Sequence, residues 1–133
     1  MAYVIDASIA ASWVLPGEEA ALADTALDRL ADEPACVPDL FWHELRNILI
    51  SAERRRRIDR HHGDASMARI RRLAIHVPRQ PEDHHVLALA RGHGLTACDA
   101  SYLALAIQEH CPLATLDHRV NDAAAAEGLP GFA

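Results

Sequence analysis

Lysine is absent from this 133-residue chain, and all thirteen of its basic side chains other than histidine are arginines. Mechanisms that depend on a lysine are therefore closed to it. Cysteine is scarce, and Cys36, Cys98 and Cys111 form an odd number with no paired spacing. Each falls in an apolar segment, so the expectation is buried free thiols in a reducing compartment, not a disulfide framework. No segment has the ~18 or more uninterrupted apolar residues that a membrane span needs. The amino terminus lacks the basic stretch and apolar run of a secretory signal. The expectation is a soluble, cytoplasmic protein with no membrane partner. Neither glycine-rich nucleotide-binding fingerprint is present. The histidines, including His61-His62 and His84-His85, show no zinc-ligand pattern, so surface positions are expected for them. Ser8 has no nucleophile elbow around it to make it a triad serine.

Half of the residues are hydrophobic, enough for one packed domain spanning residues 1–133. The formal charge of −6 argues against a protein that coats nucleic acid by bulk attraction. The positive charge is concentrated, however: eight of the thirteen arginines lie between Arg54 and Arg72. Short apolar runs alternate with longer helical patterns. Tyr3 to Ile5 reads as a strand buried on both faces, followed by a helix beginning near Ile9. Glu18 to Leu30 reads as a helix, Ala35 to Pro38 as a short strand, and Pro38-Asp39 opens a helix through Phe41, Leu45, Ile48 and Ala52. Further helices are expected at about Asp64 to Leu73, Glu82 to Arg91 and Cys98 to His110. "AIHVP" and "CPLATLD" read as strands, and "NDAAAAEG" as a last short helix. Such alternation predicts an α/β fold with a mostly parallel sheet.

Four of the nineteen acidic residues sit in places that solvation alone does not explain. Asp6 ends the first strand, and Asp117 ends "PLATLD" in the same way. The carboxyl ends of parallel strands are where α/β sheets bind ligands. Glu44 lies at the margin of the apolar arc of "PDLFWHELRNILISA", with Asn47 nearly a turn further on. Asp99 shares a helix face with the inward-facing Leu103, Ala106 and Ile107 and sits in a first turn, where the helix dipole favours an anion. Each also has a structural explanation. Asp6 or Ser8 could cap a helix, Asp117 could be a turn residue, Glu44 could snorkel or pair with Arg46 or Asn47, and Thr96-x-x-Asp99 is a variant capping box. Taken together, four acids converging above a sheet repel one another unless some take up protons or a cation holds them. Hard oxygen donors without a Cys or His pattern suit Mg²⁺ or Mn²⁺, which can activate water against a phosphodiester.

"YVIDAS", "PDLFWHELRNIL", "LTACDASYLALA" and "PLATLD", in that order, resemble the conserved blocks of PIN domains, and most of all the VapC toxins of bacterial toxin–antitoxin pairs. The resemblance covers essentially the whole chain. It implies a three-layer α/β/α fold with a central parallel sheet and an acidic Mg²⁺ or Mn²⁺ site. The activity implied is cleavage of single-stranded RNA or RNA loops, such as those of tRNA or rRNA. By motif, Asp6, Glu44, Asp99 and Asp117 match the four acids of the family, with Asp6 and Asp99 as principal metal ligands. Ser8, Asn47 and Thr115 match polar neighbours that could bind water held by the metal. The partners implied are a cognate antitoxin, whose inserted segment blocks the cleft, and a second copy of the chain in a homodimer.

"ERRRRIDRHH" places arginines on every side of what reads as the last turns of a helix. Arg54, Arg55, Arg56 and Arg57 could be a solvated helix end, a phosphate-gripping rim beside the cleft, or a docking surface for an acidic partner segment. Two other functions compete with a ribonuclease. An aspartyl-phosphate phosphotransferase also wants an Asp after strand one, but normally needs the missing lysine. A non-catalytic RNA- or peptide-binding α/β module would leave all four acids structural.

Overall fold

A computed structural model describes residues 2–132. The sheet is built around β1 (Tyr3–Ile5), whose three side chains are completely buried. Tyr3 satisfies its hydroxyl inside the protein by donating to the Ala26 carbonyl at 2.7 Å. Around it run α1 (Ala7–Val14), α2 (Ala21–Arg29), β2 (Ala35–Cys36), α3 (Leu40–Arg54) and α4 (Arg60–Arg71). The chain continues through β3 (Ile75–His76), α5 (Asp83–His93), α6 (Ala97–Glu109), β4 (Leu113–Ala114) and α7 (His118–Ala126).

The strand order is β3-β2-β1-β4, and every pairing is parallel. Tyr3 lies opposite Ala35 and Val4 opposite Leu113, so β1 is hydrogen-bonded on both sides. One group of helices packs α1 on α2 and α3, and α3 on α4. The other packs α6 on α5 and α7, with α6 lying directly against β1 and β4. The sheet between them completes the three layers expected of the sequence. The chain first moves outwards from β1 to β2 and β3, then crosses back to place β4 on the other side of β1. The carboxyl ends of β1 and β4 thus flank the point where the winding direction reverses, where open α/β sheets hold their ligands.

Several elements begin elsewhere than the periodicity predicts. Helix α1 starts at Ala7, because Asp6 is its N-cap and accepts from the Ile9 amide at 3.2 Å. Helix α2 starts at Ala21 instead of Glu18. Helix α4 starts at Arg60 instead of Asp64, because the Asp59 carboxylate caps it through the His62 amide at 2.7 Å. That earlier start changes the arginine run. Helix α3 closes at Arg54, Arg55 caps it, and Arg56 takes a left-handed φ of 58° in the turn to α4. The four arginines therefore ring a helix end and a turn, not the last turns of a helix. Cys36 and Cys111 are buried as expected, but Cys98 is exposed, on the solvent side of the first turn of α6. No described helix is long and apolar enough to cross a membrane.

Candidate active site

All four acids line one cavity of about 380 Å³ at the β1/β4 switch point. Asp6 enters from the end of β1, Asp117 from the segment after β4, Glu44 from α3 and Asp99 from the first turn of α6. Ser8 and Tyr102 complete its polar lining, and no arginine or histidine lines it.

Asp6 is the most tightly held. The Ser8 hydroxyl donates to its Oδ1 at 2.5 Å, and the hydroxyl of Thr115 donates to its Oδ2. Thr115 is completely buried, and its oxygen accepts from the Asp117 amide at 3.0 Å. One threonine therefore ties the first strand's acid to the last strand's. Burial pushes the Asp6 carboxyl above its usual range, and the bonds from Ser8, Thr115 and the Ile9 and Ser8 amides pull it back only in part.

Asp117 caps α7, its Oδ1 accepting from the Arg119 and Val120 amides at 2.8 and 3.3 Å. Asp99 is half-buried, and only its backbone joins the expected capping box, through the Thr96 hydroxyl at 3.1 Å. The reciprocal side-chain bond of that motif is not made, which leaves the Asp99 carboxylate to the cavity.

Glu44 sits half-buried at the apolar margin, as its helical position predicts. It does not pair with Arg46, which donates instead to His43 at 2.9 Å. Its partner is Tyr102, whose hydroxyl donates to Oε1 at 2.5 Å, the short length of a charge-assisted O–H···O⁻ bond. Burial raises the Glu44 pKa; the Tyr102 bond lowers it, and the negative charges of Asp99 and Asp6 raise it further. Burial, with Glu44 second, drives the Tyr102 phenol far above its ordinary pKa, so it remains a donor. Tyr102 is the site residue that sequence reasoning missed. The signal was its position three residues after Asp99, which puts it on the same helix face.

Asn47 does not line the acid cavity. It lines an adjoining one with Arg55 and Arg57, and Ser8, Ile48 and Leu116 form the wall common to both. Arg54 and Arg56 line neither.

Among the described residues, no three His, Cys, Asp or Glu side chains are gathered closely enough to hold an ion as they stand. The donor chemistry nonetheless fits a hard divalent cation. The ionisable groups of the cavity are four carboxylates and a phenol, no basic side chain offsets them, and two of the carboxyls are pushed towards protonation. A divalent cation held by Asp6, Glu44, Asp99 and Asp117 would supply the missing charge.

The PIN domain family model matches residues 3–126. The chain belongs to the PIN domain family. PIN domains are generally nucleases and generally use divalent metal ions. Among solved structures, this PIN domain is similar to PAE2754 from Pyrobaculum aerophilum, with 24% identity and a TM-score of 0.68 over 92% of this chain and 84% of that one. It is also similar to VapC20 from Mycobacterium tuberculosis, a sarcin-ricin loop cleaving toxin. There the identity is 15% and the TM-score 0.61, over 91% of this chain and 94% of the other. No curated protein sequence matches significantly.

Proposed function

We propose that this PIN domain is a Mg²⁺- or Mn²⁺-dependent endoribonuclease and the toxin of a cytoplasmic toxin–antitoxin pair, hydrolysing phosphodiester bonds in single-stranded or loop RNA. The observation that carries the reading is the convergence of Asp6, Glu44, Asp99 and Asp117 on one cavity with no basic side chain in it. Family membership supports nuclease chemistry, and the similarity in fold to a sarcin-ricin loop cleaving toxin supports a loop substrate and the reading as a toxin. A homodimer is part of the same proposal.

In this reading Asp6 and Asp99 are the principal metal ligands, with Glu44 and Asp117 completing the acidic set. A bound divalent ion supplies positive charge to the reacting phosphate and makes a water more acidic. Ser8 and Thr115 hold the Asp6 carboxylate in one orientation from both of its oxygens. Tyr102 holds Glu44 in place through Oε1. Glu44, a carboxyl whose pKa burial raises, would take the proton of the attacking water. That proton balances the one the leaving oxygen needs when the P–O bond breaks.

The test is cleavage of a panel of cellular RNAs by purified protein with Mg²⁺, Mn²⁺ or EDTA, beside an Asp99→Asn variant. Cleavage at a few defined loop positions, lost with EDTA and in the variant, is the expected result. Cleavage that survives both would remove the acidic cavity from the mechanism.

A further inference from the structure

The cavity beside the acids has a volume of about 330 Å³, within the range of small-ligand sites. Unlike its neighbour, it has arginines in its lining. Its lining includes the apolar Ala11, Leu15 and Ile48, the amide of Asn47, and the charged Arg55, Arg57 and Glu18. The ridge common to the two cavities carries Leu116, which is 38% exposed. The two arginines differ in availability. Arg57 donates to the Pro16 carbonyl at 3.0 Å and pairs with Glu18 at 3.5 Å. The Arg55 guanidinium has no hydrogen-bond or ion-pair partner among the described residues.

An RNA strand repeats phosphate, sugar and base, so a strand with one phosphate at the acids must put its next base and phosphate alongside. Apolar surface next to a cationic edge is what an unstacked base with its phosphate requires. We propose that this second cavity is a subsite for the nucleotide adjoining the scissile phosphate. Its base lies against Ile48 and Leu116, Asn47 meets the edge of that base, and Arg55 grips the neighbouring phosphate. The inference rests on the ribonuclease reading and deepens it by dividing the arginine run. Arg55, with Arg57 behind it, faces the substrate, whereas Arg54 and Arg56 do not. Asn47 becomes a specificity residue, in a different role from the metal-supporting one that the sequence motif implies. An asparagine amide can pair with a base edge through both its donor and its acceptor.

The experiment measures binding of a labelled mixed-sequence single-stranded RNA to Asp99→Asn protein, expected not to cut, across a salt series. Adding Arg55→Gln should weaken binding about tenfold, as expected for loss of one charge-assisted phosphate contact. It should also flatten the logarithmic salt slope by about 0.7. Adding Arg54→Gln should leave both within twofold. In otherwise unaltered protein, Asn47→Ala should broaden the base distribution beside the cut, read by sequencing the ends released from a randomised RNA. Equal effects of the two arginine changes would overturn the subsite. So would an Arg55→Gln variant that keeps its RNA affinity but loses affinity for an acidic partner peptide, which would make the cavity a protein-docking site. If the Asp99→Asn protein with every arginine in place binds no RNA, the ribonuclease reading falls as well.

Discussion

At Asp6 one carboxylate does two jobs that look like rivals in the sequence. It caps α1 through the Ile9 amide and lines the acid cavity, its two oxygens held by Ser8 and Thr115. Its raised pKa, like that of Glu44, has burial as the first cause. A carboxyl raised on folding contributes stability that is full below its unfolded pKa and is lost as pH rises through its folded pKa. Metal-free protein should therefore lose stability as pH climbs from the ordinary values of 3.8 and 4.5 through the raised ones. Asp6→Asn keeps the cap but removes the charge. Thermal melts in EDTA should show a shallower loss with pH for this variant, while its cleavage falls by about a hundredfold or more. Identical pH slopes for the two proteins would remove Asp6 from that account. Tyr102→Phe deletes the donor to Glu44 Oε1. It should cost about 1 kcal/mol and move the acid limb of the pH–rate profile towards higher pH, since the lost bond favoured the charged form. An unmoved limb would show that Glu44 is not the group titrating there.

The helix starts explain how much of the site was legible along the chain. Asp6, Asp117 and Thr96 each cap a helix that meets the acid cavity at its cap or in its first turn, so capping chemistry and site chemistry share the same short stretches. That overlap is why both explanations of these residues were readable and neither excluded the other. It also supplies a test. Asp117→Ala should lose both cap and charge, at a cost of about 1 kcal/mol, whereas Asp117→Asn should keep the melting temperature and lose only activity. Equal melting temperatures for the two would deny the cap. Strand β1 was legible because three adjacent apolar residues are buried on both faces. The two-residue strands β2, β3 and β4 were legible too, although they are too short to carry a period, because each lies in a short, largely apolar run with a proline nearby. The start of α4 was missed because Asp59 follows an arginine run that masks the cap signal, and Arg56 turns the chain in a conformation that side chains seldom announce.

For the whole molecule, the order β3-β2-β1-β4 gathers what the chain keeps far apart. Asp6 and Asp117 stand at the reversal point, while Glu44 and Asp99 come from helices of the two opposite layers. The acids themselves were legible from their odd placements. Tyr102 was not: its place three residues after Asp99 put it on the right face, but that alone does not separate a phenol that reaches across to another helix from one that fills the core. Nor could sequence place Asn47 in the adjoining cavity, since that depends on how α3 is rotated against α1. The division of charge is also a property of the assembled fold: an acidic cavity beside an arginine-edged one, on a chain of net charge −6. The proposed chemistry stands on the four carboxylates forming a divalent-metal site. Titration of Mn²⁺ into metal-free protein, followed by calorimetry, tests it without reference to activity. Saturable binding is expected in the native protein and binding at least tenfold weaker in Asp99→Asn, as loss of one charge-assisted contact implies. Equal affinity in the two proteins, or no binding in either, would contradict it.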